Sequence, residues 1–227
     1  MTTDSPVRGE TAVKQQIFDF LDQMDETVLC SEEEKDQLKA WCDELCTHTA
    51  VPEPINNQAA ASGVWRSRFA SFAVKHSENQ PMYHPSDLAR QSFNNLPKVP
   101  VQVVDLVQEI DEATKAYNNV VHVTSPAGDA KGIVVMFGRY EGAEENPQRY
   151  AVSFYRVGFF CNDDRSDEAF REAFGIDADR SLDVEFRPPS LHSDIVYLDD
   201  DARINYGKLG GFYVLSRDPR PFYSLDI

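Results

Sequence analysis

From Gly63 onward the chain is a succession of short runs rich in β-branched and aromatic residues, with no long helical pattern between them. VWRSRFASFAV, VQVVDLVQEI, YNNVVHVTS, GIVVMFGRY, RYAVSFYRVGFF, LDVEFR, DIVYL, ARIN and GFYVL follow one another, divided by turn material such as PAGDAKG, EGAEENP and NYGKLGG. Strands joined by hairpin-length connections pair antiparallel, so this grammar predicts an antiparallel sandwich or barrel. In LDVEFR the apolar Leu182, Val184 and Phe186 alternate with charged residues, and Tyr150, Val152 and Phe154 repeat the step. One face of each such strand is predicted to be dry.

Ahead of the strands the period changes to that of a helix. Val13, Ile17, Phe20, Leu21, Met24 and Val28 recur at three- and four-residue steps. A second helix is announced by the capping-box pattern SEEE at Ser31 and Glu34, followed by an apolar stripe of Leu38, Trp41, Cys42 and Leu45. The two helices are expected to form an antiparallel hairpin packed on the rest. The stretch VPEPINNQAAASG has two prolines and a polar run, so it reads as a linker. The expected division is a helical hairpin and linker over residues 1–60 and a barrel domain over 61–227. Two segments interrupt the strand pattern and are lid candidates: residues 76–98, with Pro81, Pro85 and Pro97, and residues 162–180, with a short helix expected around Glu168 to Phe174.

Few residue patterns point to chemistry. His48, His76, His84, His122 and His192 form no HExxH or HxH cluster, although His76 and His84 share one loop. Cys42 and Cys46 share a helix face, but no CxxC pair accompanies them, so no metal site is expected. No GxSxG, GxGxxG or P-loop occurs. The run Asp199, Asp200, Asp201 lacks the alternating ligands of a calcium loop and reads as a solvated turn. Glu109 and Asp111 share a strand face with nothing to place a substrate between them. No catalytic residue and no cofactor is expected.

Acidic residues outnumber Lys and Arg by 38 to 22, and the formal net charge of -16 repels phosphate backbones and anionic headgroups, so nucleic acid is not an expected partner. The start MTTDSPVRGE carries acids and lacks the apolar core of a secretory signal. With Cys30, Cys42, Cys46 and Cys161 as reduced thiols, the expected location is cytoplasmic, of bacterial or cyanobacterial type. No apolar run approaches the roughly 18 residues that span a bilayer, so contact with an internal membrane would be peripheral.

Four separated blocks resemble the plastid lipid-associated protein and fibrillin (PAP/fibrillin) family. GVWRSRFASF is similar to its opening strand, with Gly63, Trp65, Phe69 and Ser71 in matching places. VQEIDEATKAYNNVVHV matches at Gln108, Ile110, Asp111, Asn119 and Val120, and YAVSFYRVGF is similar to its F-x-V-x-F strand. IVYLDDDARINYGKLGGFYVLSRD resembles its closing hairpin, departing at Ala202, where the family usually has Leu, and at Tyr206, where it usually has Arg. This chain also carries extra sequence between Asn162 and Ser193.

The resemblance implies a lipocalin-like barrel that buries a small apolar ligand such as an isoprenoid, quinone, carotenoid or lipid, in association with a thylakoid or plastoglobule, without enzymatic activity. On that expectation the ligand walls are Phe69, Val121, Val123 and Met136, with Phe137, Phe154, Tyr197 and Phe212 from the later strands. Trp65 and Arg203 would stack as a cation–π plug, and Gly63, Gly207 and Gly211 would serve barrel closure. Two other readings stay open. One is a protein-interaction module using the hairpin and acidic surface; the other is a lipocalin-shaped enzyme or chromophore-handling protein, which would need His122 or His192 buried beside a carboxylate in the cavity.

Overall fold

The capping box announced at residue 31 forms: Ser31 Oγ accepts from the Glu34 N–H at 3.2 Å, and Glu34 Oε2 accepts from the Ser31 N–H at 2.8 Å. It starts α2 (Glu32–Cys46), which packs on α1 (Pro6–Gln23) as the predicted hairpin. The computed structural model describes residues 6–25, 28, 30–71, 84–187, 190–208 and 210–224. A four-residue helix α3 (Gln58–Ala61) precedes the first strand, and α4 (Asp167–Phe174) fills the charged insertion where a short helix was expected.

The strands are β1 (Gly63–Ser71), β2 (His84–Asp87), β3 (Pro100–Asp111), β4 (Ala116–Thr124), β5 (Lys131–Ala143), β6 (Asn146–Cys161), β7 (Asp183–Glu185), β8 (Leu191–Leu198), β9 (Ala202–Gly207) and β10 (Phe212–Asp218). Every pairing among them is antiparallel. The ring runs β1, β10, β9, β8, β6, β5, β4, β3, and β1 then pairs with β3 from Gly63↔Ile110 to Arg66↔Val107, so the sheet closes on itself. β2 lies beyond the ring on β3, and β7 on β6. The fold is the mostly-β class expected, an antiparallel barrel led by an α-hairpin. Residues 76–83 of the first lid candidate, His76 among them, lie outside the described residues; its described part holds β2 and one 3-10 turn at Arg90–Ser92.

Three apolar layers hold the molecule together. Inside the barrel, Trp65, Ile110, Val134, Tyr150, Val157 and Leu215 are fully buried. On the outer face of β1, β8, β9 and β10, the hairpin's Ile17, Leu38 and Leu45 pack over Phe69, Tyr197, Ile204 and Val214. Tyr206, one of the departures from the family pattern, is half-buried in this seam, where its Oη donates to Asp43 Oδ1 and Lys39 Nζ lies 5.0 Å from its ring. A third layer covers the outside of β3, β4 and β5, where Val107, Val120, Ile133 and Val135 meet Phe222 and Tyr223 of the C-terminal segment. Runs such as GIVVMF are apolar on both faces because both faces are covered.

Trp65 marks the closed end. Its Nε1 donates to Ala61 O at 2.8 Å, Tyr150 Oη donates to Pro54 O at 3.0 Å and Tyr140 Oη donates to Gln58 Oε1 at 2.9 Å, so residues 54–61 form a base under the barrel. Gly63 begins β1 with φ 130°, and a Cβ there would meet Arg217 Nη1 at 2.8 Å. The backbone conformation favours glycine at this position, and a side chain there would also have to displace the Arg217 guanidinium.

The triple-aspartate run is not wholly solvated. Asp199 Oδ2 accepts from Lys14 Nζ at 2.6 Å and from Tyr197 Oη at 2.5 Å, while Oδ1 accepts from the N–H groups of Asp201 and Ala202 at 2.8 and 2.7 Å. Burial opposes its ionisation, and these donors outweigh burial, holding the carboxyl below the usual range. A depressed carboxyl contributes stability above its unfolded pKa of about 3.9 and loses it as pH falls through the folded value. Asp199→Asn is therefore expected to cost about 1–2 kcal/mol near neutral pH, by urea unfolding, and the gap from the parent to narrow below about pH 4. A gap that stays constant with pH would contradict the assignment.

Candidate functional site

The barrel interior opens into a cavity of about 330 Å³. Val121 from β4, Met136 from β5, Val152 and Phe154 from β6 and Leu106 from β3 make apolar walls, and Tyr213 enters from β10. Arg90 and Lys208 are exposed and Phe93 is 46% exposed, which places them at the mouth; Gln108 at 7% and Tyr117 at 2% lie at depth. Phe93 and Asn94 carry left-handed backbone, with φ 49° and 62°, which favours glycine or asparagine. That backbone turns the Phe93 ring to within 6.1 Å of Phe154 and 6.3 Å of Phe186.

Val121, Met136 and Phe154 line the cavity together, with Gly207 and Gly211 at its edge, while Val123 is buried in the barrel core away from it. Phe137 points outward into the layer under the C-terminal segment, since its neighbour Met136 occupies the inward position on β5. Phe69, Tyr197 and Phe212 face the helical hairpin. Phe212 does so by alternation with the inward Tyr213. For Phe69 and Tyr197 the cause is a register shift: pairing breaks step between Ser67 and Phe69 on β1 and between Ile195 and Tyr197 on β8. An extra residue at such a bulge sends the next side chain to the opposite face.

The deep end is polar. Gln108 Oε1 accepts from Tyr117 Oη at 3.0 Å, from Asn205 Nδ2 at 3.3 Å and from Arg203 Nη2. Arg203 and Asn205 are fully buried on the inward face of β9. The Arg203 guanidinium stands 4.9 Å from the Trp65 ring, and that of Arg217 stands 4.2 Å from the same ring. Burial lowers the Arg203 pKa to about 10, so it stays a cation at neutral pH. Tyr117 and Asn205 were legible only as polar residues at inward positions of apolar strands, and Gln108, between Leu106 and Ile110, stood out only as a matching place in the family resemblance, with no role attached. Hydrophobic pattern reading passes over such positions.

The titratable groups singled out from sequence have structural partners. Glu109 accepts from the N–H groups of Tyr223 and Ser224 at 2.5 and 3.2 Å, anchoring the C-terminal segment, and Asp111 Oδ2 accepts from Thr114 Oγ1 at 2.6 Å in a turn. His122 is buried on the outer face, its ring 4.7 Å from that of Tyr223, and burial lowers its pKa. His192 sits at the cavity edge, 3.9 Å from Asp194 Oδ2, but Asp194 is already gripped by Arg149 through two bonds of 2.8 Å. Cys42, Cys46 and Cys161 are free thiols, and burial pushes the Cys46 thiol up to about 12. Among the described residues no three His, Cys, Asp or Glu converge as a metal site, and no helix is long and apolar enough to cross a membrane.

A family model, PAP_fibrillin, matches residues 11–216, from the first helix to the last strand of the barrel. No curated protein and no solved structure matches the chain.

Proposed function

The chain belongs to the PAP_fibrillin family, and from that premise we propose that it is a non-enzymatic carrier or scaffold that buries a small apolar molecule in its barrel. The observation that supports this reading is the cavity of about 330 Å³, which lies within the range of small-molecule sites and has mostly aliphatic and aromatic walls. Membership and fold are consistent with a lipid-associated protein. Binding works by burial: apolar groups leave water at roughly 25 cal/mol per Å², and the few polar groups at depth fix the ligand's direction. An interaction module built on the hairpin is less favoured, because the hairpin's apolar stripe is already spent on the barrel wall.

Titration with the neutral fluorophore N-phenyl-1-naphthylamine, alongside native mass spectrometry of gently purified protein, tests the reading. Saturable uptake is expected. Filling the walls with Val121→Phe and Met136→Trp together is expected to weaken it by roughly tenfold or more while the chain stays folded. Absence of uptake by the parent protein would remove the proposal.

A further inference from the structure

We propose that the cavity's ligand is an amphipathic carboxylate that enters head first, its carboxylate received by the Gln108 side-chain amide with the Arg203 cation directly behind. The inference rests on the burial reading above and adds the chemistry of the head group.

Gln108 carries the argument. Three donors converge on its Oε1, from Arg203, Tyr117 and Asn205, and this fixes which way the amide points. Its Nε2 is left on the opposite side, on a residue that lines the cavity, and among the described residues it has no hydrogen-bond partner. A donor is thus presented at the deep end. Because a cation bonds to the carbonyl of the same amide, the N–H groups are polarised into stronger donors.

Arg203 lacks a counter-ion. It is 0% exposed, makes no ion pair among the described residues, and its Nε and Nη1 find no hydrogen-bond partner there. A buried charge is ordinarily paired, and an unpaired one is costly. Trp65 offers it a π face and Gln108 one acceptor, yet neither supplies negative charge. Asn205 Oδ1, also fully buried, has no partner either. A carboxylate at Gln108 Nε2 brings the missing charge into the same dry network, whereas an alcohol or hydrocarbon brings none.

The cavity mouth points the same way independently. The chain has net charge -16, yet among the described residues no acidic side chain lines the cavity, while the exposed Lys208 does. Local reversal of the protein's field at an opening raises the local concentration of anions. The volume equals about eleven waters at roughly 30 Å³ each, room for a chain of about ten heavy atoms before the tail passes Phe93.

The test compares decanoate with 1-decanol as displacers of N-phenyl-1-naphthylamine, at about pH 7.5, where a carboxylate is ionised. Decanoate is expected to bind at least roughly tenfold more tightly than decanol. Gln108→Glu, nearly isosteric and able to accept from the same three donors, supplies the counter-ion from the protein itself. Its circular dichroism should match the parent, and the decanoate preference, taken as the ratio of decanoate to decanol displacement within the variant, should vanish or invert. Equal or tighter binding of decanol by the parent overturns the carboxylate assignment and leaves apolar burial standing. A preference that persists in Gln108→Glu overturns the role of Gln108. If fluorophore, decanoate and decanol are all refused, the burial reading falls, and this inference with it.

Discussion

Trp65→Ala is expected to lower the free energy of unfolding by about 4 kcal/mol, the largest loss from any single truncation in the barrel. Removing a fully buried tryptophan costs roughly 3–5 kcal/mol in lost transfer energy and in the cavity it leaves. Here the indole also donates to Ala61 O and offers its ring to the guanidinium groups of Arg203 and Arg217, contacts of roughly 0.5–2 kcal/mol each. The fully buried Arg203 cannot turn to water in compensation. Trp41, half-buried on the hairpin and edge-on to Phe20 at 5.5 Å, provides the control, and its replacement by alanine should cost roughly half as much or less. Urea unfolding of the two variants decides the matter. Equal costs would show that Trp65 is one more packed aromatic and not the keystone of the closed end.

Leu38→Asp should separate the hairpin from the barrel. Leu38 is 0% exposed at the centre of the seam, so an aspartate there is a buried charge without a partner, and the docked state should lose more than about 3 kcal/mol. Undocking uncovers Phe69, Phe212 and Val214, a contiguous apolar face on the outside of the sheet. Amide exchange over residues 32–46 is expected to accelerate sharply, and sedimentation velocity to show self-association, while exchange within β4 and β5 stays slow. Protection of α2 equal to that of the parent would contradict the seam described here.

Much of the architecture was readable because it depends on local periodicity. Leu182, Val184 and Phe186 alternate, Ser31 and Glu34 announce a helix start, and the turn-rich spacers permit only antiparallel neighbours. The cavity walls were less legible for an equally physical reason. Phe69 and Tyr197 continue an inward pattern on paper, yet a bulge in each strand turns them beneath the hairpin, and the residue types on either side do not distinguish a bulge from continued pairing. Outward residues such as Val135 and Phe137 are as apolar as inward ones because the C-terminal segment covers them. The polar deep end required the opposite inference. Gln108 and Asn205 gain meaning only when strands far apart in sequence bring them to one carbonyl oxygen.

The ring's seam lies between β1 and β10, the first and last strands among the described residues, with Trp65 opposite Arg217 in register. A nascent chain that has not yet reached Asp218 leaves β1 without this partner and the α-hairpin without the β10 part of its seat. The barrel therefore closes only once β10 has been made, and until then β1 can pair with β3 along one edge while its other edge stays open. The abundant acidic charge that keeps the finished protein apart from its copies also serves during that wait, since mutual repulsion between incomplete chains protects an open edge until its own final strand arrives.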